Sequence, residues 1–307
     1  MSTRRRFIQH SAAIIGGLAM AKNASALFES AKTRKAGLQL FTLFTTIDND
    51  VAGSLKKISG IGYREIESAF SKKGGFYGLK AREFSKLVTD QGMSWKSHHV
   101  LGAPFKMPAD AKPMLDANGQ PVVIPPMRNL KDNMQELVDE VAVAGVPFLV
   151  CASTPIATMD EVKASMEVLE KTGEACKKAG IGFAYHNHDK EFLPLDGQVP
   201  YDLMLSQLSA DHVKFELDLC WVTKAGVDPV ALFDKHPGRF PLWHVKDLDQ
   251  AMTGPQPVGT GIVDFKRIFE HADKAGLRHF FVEHDMPADA FASITTSFEN
   301  LKKMKIV

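Results

Sequence analysis

Cysteine is scarce: Cys151, Cys176 and Cys220 are the three in 307 residues. Their number is odd and they stand in or beside apolar runs, so no disulfide framework is implied and each reads as a small buried hydrophobe. Charge of one sign is also lacking. The formal net charge is +1, and the first 26 residues carry Arg4, Arg5, Arg6 and Lys22 with no acid, which leaves −3 on the remainder. That balance argues against a nucleic-acid surface. The uncharged run Ser11 to Ala21 is too short for a permanent membrane anchor. No Gly-x-Gly-x-x-Gly follows the first apolar strand signal, no His-Glu-x-x-His is present, and no shift of composition marks a second domain. With 45% hydrophobic and 24% charged residues, the chain fits one large globular core.

The N-terminus has the three parts of an export signal: Arg4-Arg5-Arg6-Phe7, the uncharged run to Ala21, and the small residues Ala24-Ser25-Ala26. The paired arginines before Phe7 resemble a twin-arginine signal, which implies export of a folded protein into a bacterial periplasm. Residues 1–26 are then the signal, 27–35 a leader, and 36–307 one catalytic domain.

Four segments share one pattern, a short apolar run ending at a metal-competent side chain. They are Phe183-Ala-Tyr-His186-Asn-His188-Asp-Lys-Glu191, Val213-Lys-Phe-Glu-Leu-Asp218, Pro241-Leu-Trp-His244-Val-Lys246-Asp247 and His279-Phe-Phe-Val-Glu283. The steps between His186, Asp218, His244 and Glu283 are 32, 26 and 39 residues, about the length of one strand–helix unit. Upstream, strands are expected at residues 37–43, 63–68, 94–100 and 147–151. Helices are expected at 51–59, 81–91, 129–144 and 159–179, and later at 201–208, 229–235, 265–275 and 290–303. Eight strands alternating with eight helices predict an α/β fold, a (β/α)8 TIM barrel, with a doubly wound open sheet as the alternative. Residues 101–127 interrupt the beat with six prolines, too many for a helix interior or a central strand. A long loop at that face commonly covers a binding site.

Two imidazoles and two carboxylates on separate strands can form an N2O2 site for one divalent metal ion (Mn, Zn, Co, Fe or Mg), with positions left for substrate oxygens. Glu216 shares the parity of Asp218, so one of the two should lie deeper, and a Glu inside a barrel is costly unless paired.

These segments, together with Gly62-Tyr63-x-x-Ile66-Glu67, Leu217-Asp218-x-x-Trp221 and Gly259-Thr-Gly261-Ile-Val-Asp264-Phe265, resemble the xylose-isomerase-like TIM barrel superfamily. The likeness is greatest to sugar phosphate isomerase/epimerase-type proteins and to inosose dehydratase and ketose 3-epimerase relatives. It covers residues 37–303. The resemblance implies a metal held by Glu, Asp, His and Glu at the ends of strands five to eight, hence Asp218, His244 and Glu283. His186 stands where Glu is usual, with His188 and Glu191 as alternatives for that ligand, and Trp221 stands where many relatives have His. An epimerisation using two carboxylate bases is therefore disfavoured, while isomerisation or one-base elimination through an enediolate stays open. Glu283 is the expected base, His188 or Glu191 the second acid/base and Lys246 the stabiliser of the oxyanion. Glu67, His99 and Trp221 are expected to bind substrate.

The function expected is thus a periplasmic, metal-dependent isomerase, epimerase or lyase acting on a sugar, keto-sugar or keto-glycoside. The partner is a small carbohydrate, without nucleic acid or a stable membrane anchor, and homo-oligomerisation is left open. A non-catalytic sugar-binding barrel with a vestigial metal site is the alternative. A related endonuclease would need more ligands and a basic groove. Gly259-Thr-Gly261 reads as a tight turn before a helix, and Lys246-Asp247 equally well as a surface ion pair.

Overall fold

The computed structural model describes residues 34–105 and 127–307. The expected export signal, the leader up to residue 33, and residues 106–126 of the proline-rich excursion lie outside the described residues. Eight strands, β1 (Gly37–Gln39), β2 (Glu65–Ser68), β3 (Ser94–Leu101), β4 (Phe148–Ser153), β5 (Gly182–His186), β6 (Lys214–Asp218), β7 (Leu242–Val245) and β8 (His279–Val282), pair in parallel in chain order. They close into a barrel where Gly37 and Leu38 meet Phe281 and Val282. The strand-to-strand crossovers carry helices on the outside, as the alternating pattern predicts.

Strand alternation sorts the side chains into an outer shell and an inner column. Outward residues such as Phe215, Leu217, Trp243, Val245, Phe280 and Val282 belong to the large core between barrel and helices. The inner column opens with a separate apolar plug of Phe148, Val150, Ala184, Leu242 and Phe281. Gly37 and Gly182 face this plug, where a Cβ would lie 2.4 Å from a Phe281 ring carbon and 2.5 Å from one of Phe148. Interior aromatics leave no room for a larger residue at either position. Above the plug the column is polar: Gln39, Glu67, Ser97, His99, His186, Glu216 and His244 are all buried.

Some local features differ from the sequence expectation, among them a short antiparallel pairing of Asp247–Leu248 with Pro255–Gln256. The first strand ends at Gln39 because its side-chain oxygen accepts a hydrogen bond from Phe41 N (3.0 Å), turning Leu40–Leu43 into a 3-10 helix. A helix not expected, Leu219–Lys224, follows β6 directly; Asp218 caps it, Oδ1 accepting from Cys220 N (2.9 Å) and Trp221 N (3.0 Å). The helix expected over 265–275 is two pieces, Phe265–Glu270 and Ala272–Ala275. The Gly259 turn has φ +80°, and its loop is tied down by Asp247, whose carboxylate accepts from the amides of Gly259 (2.8 Å), Gly261 (2.9 Å) and Val263 (3.0 Å). Those amides therefore serve Asp247, which is fully buried and is no surface ion-pair partner.

His98 gives a pH signature. Its buried ring lies 4.8 Å from Phe76, its Nδ1 is 2.8 Å from Ser68 Oγ, and burial, followed by the charges of His99 and Arg128, pushes its pKa down to about 3. Folded His98 therefore resists a proton that the unfolded chain accepts near pH 6.5. The stability this neutrality permits is complete above that pH and lost as pH falls toward 3, at about 1.4 kcal/mol per unit. Replacing His98 with Asn removes the slope, so urea unfolding should show the gap between wild type and variant narrowing by about 2 kcal/mol from pH 7 to pH 5. Parallel curves over that range would assign the pH dependence to other groups.

Candidate metal centre and active site

The C-terminal ends of β5 to β8 bring four buried groups together. Register pairs His186 with Glu216 and Asp218 with His244 across neighbouring strands. At the upper level, His186 Nε2 lies 3.9 Å from Asp218 Oδ2, His244 Nδ1 is 3.8 Å from the same oxygen, and His244 Nδ1 is 2.9 Å from Glu283 Oε2. Asp218, His244 and Glu283 each offer a ligand atom within 4.8 Å of the others. Asp218 Oδ2 is buried with no hydrogen-bond donor in line, although Lys246 Nζ lies 3.1 Å away. The capping bonds from the Leu219–Lys224 helix hold the other oxygen of Asp218, and the Asp218 amide donates to Asn187 Oδ1 (3.1 Å), so Oδ2 is aimed by local structure. Asp218, His244 and Glu283 are one donor set, and His186 belongs with His99, Glu216 and His244 to a second that shares His244. An imidazole and two carboxylates, with His186 Nε2 3.9 Å from Asp218 Oδ2, suit a divalent ion of the first transition row.

A second level lies beneath. Glu216 Oε2 sits 2.6 Å from His99 Nε2, 3.2 Å from His244 Nε2 and 3.3 Å from His186 Nδ1. Of the two residues sharing parity, Glu216 is the deeper one, and three imidazoles surround it. Glu67 Oε1 lies 2.5 Å from His244 Nε2 and 3.2 Å from His99 Nε2, and Glu67 is itself held by Gln39 Nε2 (2.8 Å) and Ser97 Oγ (2.5 Å). A carboxylate placed so would fix the orientation of the His244 imidazole were that ring to hold a metal.

The charges follow from burial and neighbours. Burial alone would lower His99 and His244, but Glu67 and Glu216 raise His99 to about 9, and Glu216, Glu283 and Glu67 hold His244 well above its usual range. Burial raises Glu216 to about 7, helped by Glu67. His186 goes the other way: burial, then His244, keeps it neutral, with the lone pair a metal requires. Burial would raise Glu283, yet Lys246 and His244 hold its carboxyl well below the carboxylate range. Lys246 is 1% exposed and kept charged, against its burial, by Asp218, Asp285 and Glu283; its Nζ is 2.6 Å from Glu283 Oε2 and 2.8 Å from Asp285 Oδ2.

A cavity of about 570 Å³ opens over this cluster, with His99, His186, His188, Lys246, Glu283 and Asp285 among its walls. Phe105 and Met127, which flank residues 106–126, are also on its wall. His188 is 43% exposed, its ring 5.1 Å from that of His186. The other expected site residues stand apart from the cavity. Glu67 is fully buried beneath it, bound to Gln39, Ser97 and His244. Glu191 accepts from Tyr185 Oη (2.7 Å) and His188 N (3.1 Å), which fixes the turn after β5. Trp221 packs against Lys246, whose Nζ is 5.3 Å from its ring. Sequence reasoning gave Asp285 no role, and its signal, an acid two residues beyond Glu283, was present.

Residues 55–304 match the family described as Xylose isomerase-like TIM barrel. An inosose dehydratase of Geobacillus thermodenitrificans is 24% identical over 168 residues, which is 49% of this chain and 55% of that protein, so the alignment spans about half of the curated relative. A crystal structure of a sugar phosphate isomerase/epimerase from Parabacteroides distasonis superposes with a TM-score of 0.70 at 26% identity, covering 91% of this chain and 96% of that one. The IolI protein, whose structure holds a zinc atom, superposes with a TM-score of 0.63 over 89% of this chain and 98% of that one, and at 14% identity speaks to the fold alone.

Proposed function

The chain belongs to the xylose isomerase-like TIM barrel family, and from that premise we propose that it is a divalent-metal-dependent isomerase, epimerase or lyase acting on a sugar, keto-sugar or keto-glycoside. It is related to inosose dehydratase and to a sugar phosphate isomerase/epimerase. The observation that carries the proposal is the meeting of Asp218 Oδ2, His244 Nδ1 and Glu283 Oε2 beneath the cavity, with His186 Nε2 3.9 Å from Asp218 Oδ2 and Lys246 beside them. His186, Asp218, His244 and Glu283 would hold the ion. A bound divalent ion would polarise a substrate carbonyl and its neighbouring hydroxyl, acidifying the C–H bond between them.

The protein's own groups divide the remaining work. Glu283 is one of the four proposed ligands, and its Oε2 already lies 2.6 Å from Lys246 Nζ, so its oxygens are committed to holding charge. We therefore assign proton removal, and the enediolate that results, to His188, which reaches the cavity on the turn braced by Glu191. Lys246 supplies fixed positive charge where the oxyanion develops. Glu67 keeps the His244 ring oriented, and the closed barrel floor of Phe148, Leu242 and Phe281 excludes water from below. Export through a twin-arginine signal, supported by Arg4-Arg5-Arg6-Phe7, would deliver the loaded protein to the periplasm.

Metal analysis of the purified protein and a screen of keto-sugars and keto-glycosides, before and after chelation, test the proposal together. One equivalent of metal is expected, with turnover that a chelator abolishes and the returned ion restores. Full turnover after complete chelation would overturn it.

A further inference from the structure

The cavity wall is divided by strand order. From β1 to β4 it is apolar and aromatic: Phe41 follows β1, Phe70 follows β2, Val100 and Leu101 end β3, and Ala152 lies in β4. From β5 to β8 it is ionisable: His186 and His188, Lys246, Glu283 and Asp285. His98, His99, Ser71, Ser153 and Arg128 are polar members on the β1 to β4 half. Phe41 and Phe70 are only half-buried, with ring centroids 5.6 Å apart, and both rest on the buried Phe44 at 5.4 and 5.2 Å. Two aromatic rings thus keep an open side toward the cavity. Its volume, about 570 Å³, lies within the roughly 300–1,000 Å³ that encloses a ligand of drug size.

The cations on the wall exclude one kind of second group. Among the described residues lining the cavity, the cations other than histidine are Lys246 and Arg128. Lys246 contacts Asp218, Glu283 and Asp285, and Arg128 donates to Glu136 and Glu140, both at 2.7 Å. The three carboxylates around Lys246 and the two on Arg128 outnumber these charges, so among the described residues the wall offers a phosphate dianion no net excess of lysine or arginine charge.

We infer that the substrate is an unphosphorylated glycoside with an aromatic aglycone, the ring lying against Phe41 and Phe70 and the sugar toward His188 and Glu283. This rests on the carbohydrate reading above and names the rest of the molecule. The elimination that such a keto-glycoside allows is balanced without a co-reactant. His188 takes the proton from the carbon between the keto group and the anomeric carbon, and that electron pair becomes the new C=C bond. The anomeric C–O bond breaks with its pair on the aglycone oxygen, which takes up the proton. An unsaturated keto-sugar and a phenol result. A phenol has a pKa of about 10, so it departs without the strong acid catalysis that an alkanol needs.

Calorimetric binding of phenyl β-glucoside and methyl β-glucoside to the intact protein tests the inference. Phenyl glucoside is expected to bind roughly ten- to a hundredfold tighter, the worth of burying one ring face. Phe70→Leu and Phe41→Ala, with thermal unfolding as the check on folding, should bring the ratio of the two affinities toward one. Glucose 6-phosphate should bind no better than glucose. Equal affinity for the two glucosides, or a ratio unmoved by Phe70→Leu, overturns the inference. These probes carry no keto group and need no turnover, so its failure is separable from that of the reaction. An inert protein that still prefers phenyl glucoside would overturn the activity and support the inference; an active one without the preference would overturn the inference alone.

Discussion

Replacing Lys246 with Met is expected to destabilise the metal-free protein by about 3–5 kcal/mol, the usual cost of removing one partner from a buried ion pair. The ammonium lies 2.6 Å from Glu283, 2.8 Å from Asp285 and 3.1 Å from Asp218. Asp218 is fully buried and Glu283 is 5% exposed, so water cannot replace the lost cation. Methionine keeps most of the stem's volume, which confines the effect to charge. Against a total stability of about 5–15 kcal/mol, the loss would be plain in urea unfolding with a chelator present. A divalent ion at about a hundred times its Kd should return roughly 2.7 kcal/mol through binding to the folded state alone, since it would sit among the same carboxylates. Adding Asp285→Asn should recover part of the loss, and less than removing a fully buried acid would, because Asp285 is 31% exposed. A loss under about 1 kcal/mol in chelator would show that the carboxylates do not depend on this ammonium.

The barrel was legible because its signals are local: apolar runs at unit spacing, prolines confined to one excursion, and glycines closing helices. Four polar strand ends, His186, Asp218, His244 and Glu283, were legible for the same reason, since in parallel strands of one barrel the C-terminal ends must share a face. The second level was not. Glu216 was recognised only as an acid of the same parity as Asp218, because its partners His99 and His244 come from strands distant in sequence, and only the closed register brings them within 3.2 Å. Glu67 and Glu191 sit elsewhere than on the cavity wall for a related reason. An acid at a strand end can face substrate or brace the residues that do, and the difference lies in which oxygen is already bonded, here to Gln39, Ser97 and Tyr185. The helix after β6 was hidden because Asp218 has two uses, with Oδ1 capping the helix and Oδ2 facing the site.

Glu283→Gln and His188→Gln should both nearly abolish turnover, by different routes that metal content distinguishes. The amide introduced by Glu283→Gln would remove the anion from beside Lys246 and His244 and offer the ion a neutral oxygen. Bound metal should therefore fall well below one equivalent, with kcat/KM lower by about 10³ or more, the scale of a lost group that stabilises charge. His188 contributes none of the four proposed ligand atoms, and its ring stands in the cavity wall with Nδ1 4.0 Å from Glu191 Oε1. His188→Gln should keep its metal and a KM within a few-fold of wild type, while kcat falls by about 10²–10⁴, the usual worth of a positioned acid or base. The contrast matters because the distances alone allow Glu283 to be both ligand and base. What separates the roles is engagement: a carboxylate committed to the ion and to Lys246, 2.6 Å away, is less free to take a proton from carbon than an imidazole on the cavity wall. If His188→Gln retains kcat while Glu283→Gln, still fully metallated, does not, the base is Glu283 and the pairing with Lys246 must break when substrate arrives.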